Sequence, residues 1–171
     1  MIDIKSFIQD VPDFPKPGIV FKDITPLLLD GEAFAATIDQ MVAQAEPDHC
    51  DVVIGIESRG FIFGAAIARQ MGLGFIPVRK PGKLCRATVS AAYELEYGTD
   101  CIEMHEDALA KGHRALLVDD LLATGGTMAA CCKLVESLGA HVYSCSFVVE
   151  LGFLKGREKL SGHKLHSLVT Y

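Results

Sequence analysis

Apolar residues recur along this chain in alternating helical and strand-like periods. Ile4, Phe7, Ile8 and Val11 have the spacing of a short amphipathic helix, which Pro12, Pro15, Pro17 and Gly18 stop, leaving an extended segment that ends at Val20-Phe21-Lys22-Asp23. Phe34, Ile38, Met41, Val42 and Ala45 give a clear helix face before Pro47. Residues 52–56 are apolar without interruption, the pattern of a parallel strand covered on both sides, and a helix over 61–71 closed by Gly72 leads to a strand over 73–78. Polar alternation over 88–97 and 99–104 around Gly98 predicts an antiparallel hairpin, with a short helical piece at 105–110 after it. A buried strand at 116–118, a helix marked by Met128, Cys131, Val135 and Leu138 and capped by Gly139, a strand over 142–149 and a last strand over 165–170 complete the series. Strands alternating with helices predict an α/β fold with a parallel central sheet flanked by helices, in which ligands gather at the carboxyl ends of the strands.

With 171 residues, half of them apolar and no internal repeat or low-complexity stretch, the chain suits one domain over 1–171. A net charge of −6 argues against nucleic-acid or membrane-surface binding, both of which rely on clustered Lys and Arg. No leader-like segment opens the chain and no apolar run approaches a membrane span, so a cytoplasmic protein is expected. The six cysteines form no C-x-x-C pair and read as reduced thiols, and no His or Cys spacing calls for a protein-held metal.

The chemistry concentrates in residues 116–128, LLVDDLLATGGTM. Here a strand runs into a Thr-Gly-Gly-Thr turn and then a helix, so the amides of Thr124, Gly125, Gly126 and Thr127 converge where the helix dipole favours an anion. Asp119 and Asp120 would repel a phosphate beside them and instead suit sugar hydroxyls or a divalent cation, which together describe a ribose 5-phosphate site. A second strand-to-helix turn, Gly55-Ile56-Glu57-Ser58-Arg59-Gly60, lacks the Lys and Ser/Thr of a nucleotide triphosphate loop but offers a guanidinium and free amides for a pyrophosphate. Arg79, Lys80 and Lys83 cluster after the next strand and would neutralise charge on a departing polyphosphate.

VDDLLATGGTM closely resembles the phosphoribosyl pyrophosphate signature of the type I phosphoribosyltransferases, in the form carried by the adenine-using members. The likeness extends from Phe14-Pro15 to the Leu154–Leu160 string LKGREKL, with Cys85 standing where the family usually has Pro and Lys22 where it often has Arg. It implies the family fold, with an N-terminal hood over 1–32 and a flexible catalytic loop and hairpin over 80–104. The implied reaction joins adenine to 5-phosphoribosyl 1-pyrophosphate, giving AMP and pyrophosphate in purine salvage. By the same resemblance Ala123, Thr124, Gly125, Gly126 and Thr127 hold the 5-phosphate, while Asp119 and Asp120 hold the ribose hydroxyls. Glu57, Ser58, Arg59, Arg79 and Lys83 attend the pyrophosphate, and the Glu57-Ser58 peptide is the one expected to be cis. Val20, Phe21 and Lys22 belong to the adenine-binding segment, and Glu96 of the L-E-Y-G stretch is the proton-transfer residue, with Tyr97 closing beside it. Mg2+ is expected as cofactor, held mainly by substrate oxygens and water. A homodimer is expected in which Arg79 or Lys83 is shared between sites. Two alternatives stay open: a phosphoribosyltransferase for 6-oxopurines, and a non-catalytic regulator that senses phosphoribosyl pyrophosphate.

Overall fold

The computed structural model describes residues 2–94 and 99–171, which divide into two compact units, residues 1–40 and residues 41–171. The expected roles of Glu96 and Tyr97 lie outside the described residues.

In the first unit a 3-10 turn, Ile4–Phe7, leads to β1 (Gln9–Pro12), which pairs antiparallel with β2 (Val20–Asp23). The helix expected from Ile4 to Val11 is therefore only its first turn. Asp3 caps that turn, but Val11 pairs with Phe21, and a ladder hydrogen-bonded along its length displaces a helix that Pro12 would have ended anyway. Between the strands Phe14 meets Phe21 edge to face at 5.2 Å between ring centres. The Lys22 ammonium reaches across the hairpin to Asp10 at 2.6 Å. Asp23 accepts from the Thr25 amide as α1 (Thr25–Leu29) begins, and Asp30 caps α2 (Gly31–Ala45) through the amides of Glu32 and Ala33.

The second unit is built on a five-stranded, wholly parallel sheet. Its strands are β3 (Val52–Ile56), β4 (Gly74–Val78), β7 (Arg114–Leu122), β8 (His141–Glu150) and β9 (Leu165–Thr170), laid side by side as β4-β3-β7-β8-β9. All five residues of β3 are buried, which is why its sequence shows no polar alternation. Between β3 and β4 lies α3 (Gly60–Met71), packed on β3 and β7, and between β7 and β8 lies α4 (Gly126–Ser137), packed on β7 and β8. Period-2 alternation divides the sheet residues between two cores. Ile54, Leu117, Cys145 and Phe147 join Met128, Cys131 and Val135 of α4, whereas Val53, Leu116 and Val118 fall on the face that meets α3.

An antiparallel hairpin, β5 (Thr88–Glu94) and β6 (Thr99–His105), packs its Tyr93, Ile102 and Met104 into the α4-side core. The short helix expected over 105–110 is instead a run of turns, closed by Ala108 N–H to His105 C=O and His113 N–H to Ala110 C=O. Six residues cannot repay helix nucleation when β6 already claims the first of them. Two 3-10 turns, Gly152–Leu154 and Gly156–Leu160, fill the crossing from β8 to β9. All six cysteines are free thiols, although the sulfurs of Cys132 and Cys145 lie 3.9 Å apart in the core.

Leu117 is fully buried at the centre of the sheet. Truncation by Leu117→Ala should lower unfolding stability by about 2–5 kcal/mol. Chemical denaturation monitored by circular dichroism checks this, and a loss below about 1 kcal/mol would show that the site collapses around the gap.

Candidate active site

Strand order reverses between β3 and β7: the chain leaves β3 for β4 on one side and leaves β7 for β8 on the other. The two carboxyl ends therefore open into one crevice, the place where parallel sheets bind ligands. Gly55 of β3 pairs with Val118 of β7, so the turn after β3 stands level with Asp119 and Asp120. Those two aspartates are not beyond the strand, as the apolar run 116–118 suggested. They lie within β7, which stays paired to β8 as far as Leu122 and Glu150.

After β7, Ala123, Thr124 and Gly125 turn the chain and Gly126 begins α4. Together with Thr127 they wall a small cavity of about 70 Å³, a volume suited to a phosphate group. Its neighbour, a pocket of about 280 Å³, is walled by Glu57, Ser58 and Arg59 after β3, by Lys80 and Tyr93, and by Asp119 and Asp120. Asp119, Leu121 and Thr127 border both spaces, so cradle and pocket form one continuous surface.

Every cation at this crevice has a carboxylate partner. The Arg59 guanidinium meets Asp120 Oδ2 at 2.8 Å. Glu57 accepts from Arg79 Nη2 at 3.2 Å and Nε at 3.3 Å, from the Lys80 amide at 2.9 Å and from Lys83 Nζ at 3.2 Å. Burial alone would raise the Glu57 pKa, but Arg79, the Lys80 amide and Lys83 outweigh it and hold the carboxyl down to about 2. The Glu57-Ser58 peptide is cis, the bond that the family resemblance singled out.

The aspartate pair behaves in the opposite way. Desolvation, then repulsion from Asp120, pushes the Asp119 carboxyl well above the usual carboxylate range, against the pull of Arg59. Asp120 is also raised by burial, in spite of Arg59. Two carboxyls that ionise reluctantly suit hydroxyl partners and a nearby positive charge. Among the described residues no group of three or more His, Cys, Asp or Glu side chains converges on a point. The Asp119 and Asp120 carboxylates would suit Mg2+, which keeps several waters and takes one or two carboxylates at most.

The phosphoribosyl transferase domain model matches residues 22–164 of the chain. The chain belongs to the phosphoribosyltransferase family. It is 52% identical over 170 residues to the adenine phosphoribosyltransferase of Desulfitobacterium hafniense, covering 99% of this chain and 98% of that protein. Among solved structures, the adenine phosphoribosyltransferase of Thermoanaerobacter pseudethanolicus aligns with a TM-score of 0.95 at 54% identity over 98% of each chain. The enzyme of Saccharomyces cerevisiae, complexed with an imino-altritol bisphosphate and adenine, aligns with a TM-score of 0.92 at 41% identity over 96% of each chain.

In this phosphoribosyltransferase Lys80, expected with Arg79 and Lys83 near a polyphosphate, lines the larger pocket. Two residues at the site carry no role in the sequence reading: Tyr93 reads as one position of an alternating strand, and Gly156 as one glycine within the LKGREKL string. A Cβ on Gly156 would stand 2.3 Å from the Ala123 carbonyl oxygen and one on Gly125 2.4 Å from that of Gly156, so the two segments touch backbone to backbone. Gly125 also sits at φ +79°, a second reason for glycine there.

Two outcomes follow for the phosphoribosyltransferase site. Gly156→Ala should push the cradle open and weaken ribose 5-phosphate binding by about tenfold or more, read by calorimetry on protein whose circular dichroism is unchanged. Unaltered affinity would show that the loop tolerates the displacement. Asp119→Asn should raise the melting temperature at pH 7–8 and have no such effect near pH 3. The Asp119 pKa is raised on folding, so as pH climbs the unfolded chain releases its proton first and the native state loses stability, whereas asparagine does not ionise. Equal shifts at both pH values would refute this origin.

Proposed function

We propose that the chain transfers the phosphoribosyl group of 5-phosphoribosyl 1-pyrophosphate to adenine, releasing pyrophosphate and forming AMP, a purine-salvage reaction. One observation carries this reading: a phosphate-sized cradle runs without interruption into a larger pocket lined by Arg59 and Lys80, with Asp119 between. Such a surface matches a sugar bearing a phosphate at one end and a polyphosphate at the other. Full-length similarity to adenine phosphoribosyltransferases supports adenine as the acceptor.

In this mechanism the amides and hydroxyls of Ala123 to Thr127 anchor the 5-phosphate at the start of α4. Asp119 and Asp120 accept hydrogen bonds from the ribose hydroxyls and favour the positive charge that develops on the sugar as its C1–O bond lengthens. Arg59 reaches the leaving pyrophosphate beside the amides of the 57–59 turn, while Glu57 keeps Arg79 and Lys83 in reserve beside it. Asp119 and Asp120 are the carboxylates that would face Mg2+, which when bound would supply neutralisation of leaving-group charge. Adenine N9 attacks C1, and the proton given up by the imidazole part of the base passes to Glu96. Phe21 supplies a stacking face for the purine and Val20 its apolar edge, while Lys22, already paired with Asp10, steadies that strand. Tyr97 excludes water beside Glu96, which protects an oxocarbenium-like centre from hydrolysis. A homodimer belongs to the same reading.

The test is AMP formation from adenine, phosphoribosyl pyrophosphate and Mg2+, with hypoxanthine as competitor and with Glu96→Ala beside the unaltered chain. Adenine should be consumed in preference to hypoxanthine, and Glu96→Ala should lower kcat about 10²–10⁴-fold. No AMP from the unaltered chain would overturn the function, faster use of hypoxanthine would overturn the acceptor, and a normal rate in the variant would remove Glu96 alone.

A further inference from the structure

Lys80 is held from two directions. Its backbone amide donates to Glu57 Oε2, fastening it to the turn after β3. Its ammonium belongs to the hairpin: it donates to Tyr93 Oη at 2.9 Å, pairs with the Asp100 carboxylate, and lies 5.5 Å from the centre of the Tyr93 ring. The Tyr93 hydroxyl in turn donates to Asp100 Oδ2 at 3.0 Å, and Asp100 Oδ1 accepts from the Cys101 amide at 2.8 Å. Tyr93 and Asp100 stand directly opposite each other on β5 and β6, so a single register step supplies both partners. The same hairpin is pinned to the end of β4 by a two-bond bridge between Arg79 and Glu103, at 2.9 and 2.8 Å. Lys80 and Tyr93 line the larger pocket, whereas Arg79 and Lys83 converge on Glu57.

A lysine ammonium on a four-carbon stem explores many rotamers, and ordering it on ligand binding costs conformational entropy. It also carries three donors, of which Tyr93 and Asp100 take two. Among the described residues the third meets no further partner, which leaves it for an oxygen in the pocket. We propose that Asp100 is a positioning residue: with Tyr93 it fixes the Lys80 ammonium at the wall of the pocket, ready for the pyrophosphate group. This rests on the reading of that pocket as the phosphoribosyl pyrophosphate site. Asp100 acts through Lys80 and touches no substrate. Among the described residues the titratable groups bonded to Lys80 are Tyr93 and Asp100 from the hairpin, with Glu57 at its backbone, while Arg59, Asp119 and Asp120 line the same pocket. Burial opposes the charge on Lys80, but the bonds to Asp100 and Tyr93 outweigh it and raise its pKa above the ordinary lysine value.

The experiment titrates phosphoribosyl pyrophosphate by calorimetry and measures AMP formation for the unaltered chain, Asp100→Asn, Asp100→Glu, Lys80→Met and the Asp100→Asn, Lys80→Met double variant. Asp100→Asn should raise both Kd and KM for phosphoribosyl pyrophosphate about three- to tenfold and leave KM for adenine unchanged. Without the carboxylate the Lys80 pKa falls, so the alkaline loss of kcat/KM should begin at lower pH. Asp100→Glu should recover most of the loss, and Asp100→Asn should add nothing in the Lys80→Met background. Unchanged Kd with an unmoved alkaline limb, or a full additional loss in the double variant, would overturn the proposal. If the unaltered chain binds phosphoribosyl pyrophosphate without forming AMP, the function proposed above falls while the Kd series still decides Asp100. If it does not bind that ligand, both fall.

Discussion

Parallel pairing of β3 with β7, from Val52 with Ala115 to Gly55 with Val118, sets two strand ends side by side, and each piece of the crevice in the second unit is placed relative to that pair. The pairing is held by burial on both faces, since Val53, Ile54, Leu116, Leu117 and Val118 are all inaccessible to solvent. Two strands so deeply placed cannot shift register without turning apolar side chains toward the wrong face. The turn that carries Ser58 and Arg59 and the strand end that carries Asp119 and Asp120 therefore keep a fixed separation. Gly60 closes the gap between them: a Cβ there would stand 2.8 Å from the Val118 carbonyl oxygen and 2.9 Å from Asp119 Oδ1.

Charge is the second constraint. A chain with net charge −6 that binds a polyanion must gather its cations locally, and unpaired cations at a half-buried crevice would repel one another. The observed pairing of Arg59 with Asp120, Arg79 and Lys83 with Glu57, and Lys80 with Asp100 resolves that repulsion before any ligand arrives. The arrangement is preorganised, so guanidinium and ammonium groups need little reorientation when negative charge develops on a leaving group. It also leaves carboxylates close to where polyphosphate oxygens would sit. A hydrated divalent cation would offset that opposition.

The sequence and the fold agree most closely where a local pattern has a single physical explanation. Uninterrupted apolar residues marked β3 to the residue, because only a covered strand tolerates such a run at that length. Thr124 to Thr127 announced the cradle because strand, glycine turn and helix are contiguous there. Where a segment's fate depends on a distant partner, the pattern misled. Val11 fits a helical period but is claimed by Phe21, and residues 105–110 lose their first helical position to β6. The Asp100 to Lys80 pair joins a residue of β6 to one in the bend beyond β4, and charge alone at Asp100 reads as solvated surface.

Gly156 shows why a motif legible in sequence still does not specify its own geometry. The turn at 123–127 carries glycine at 125 and 126, residues with a wide choice of backbone conformation, so its own sequence does not dictate where its amides point. Their direction is set from behind. Gly156 presses its backbone against Ala123 and Gly125, and its own place is fixed by the next residue, Arg157, whose Nε and Nη2 each reach the Glu150 carboxylate at 2.7 Å. Ser167 of β9 donates to the same carboxylate, and Leu151 N–H binds the Leu122 carbonyl at the end of β7. An unbroken chain of contacts thus runs from the last strand of the sheet to the amides of the cradle. Fixed donors would bind a phosphate without first being ordered, which would make the buttress part of the proposed phosphate site although no part of it carries chemistry.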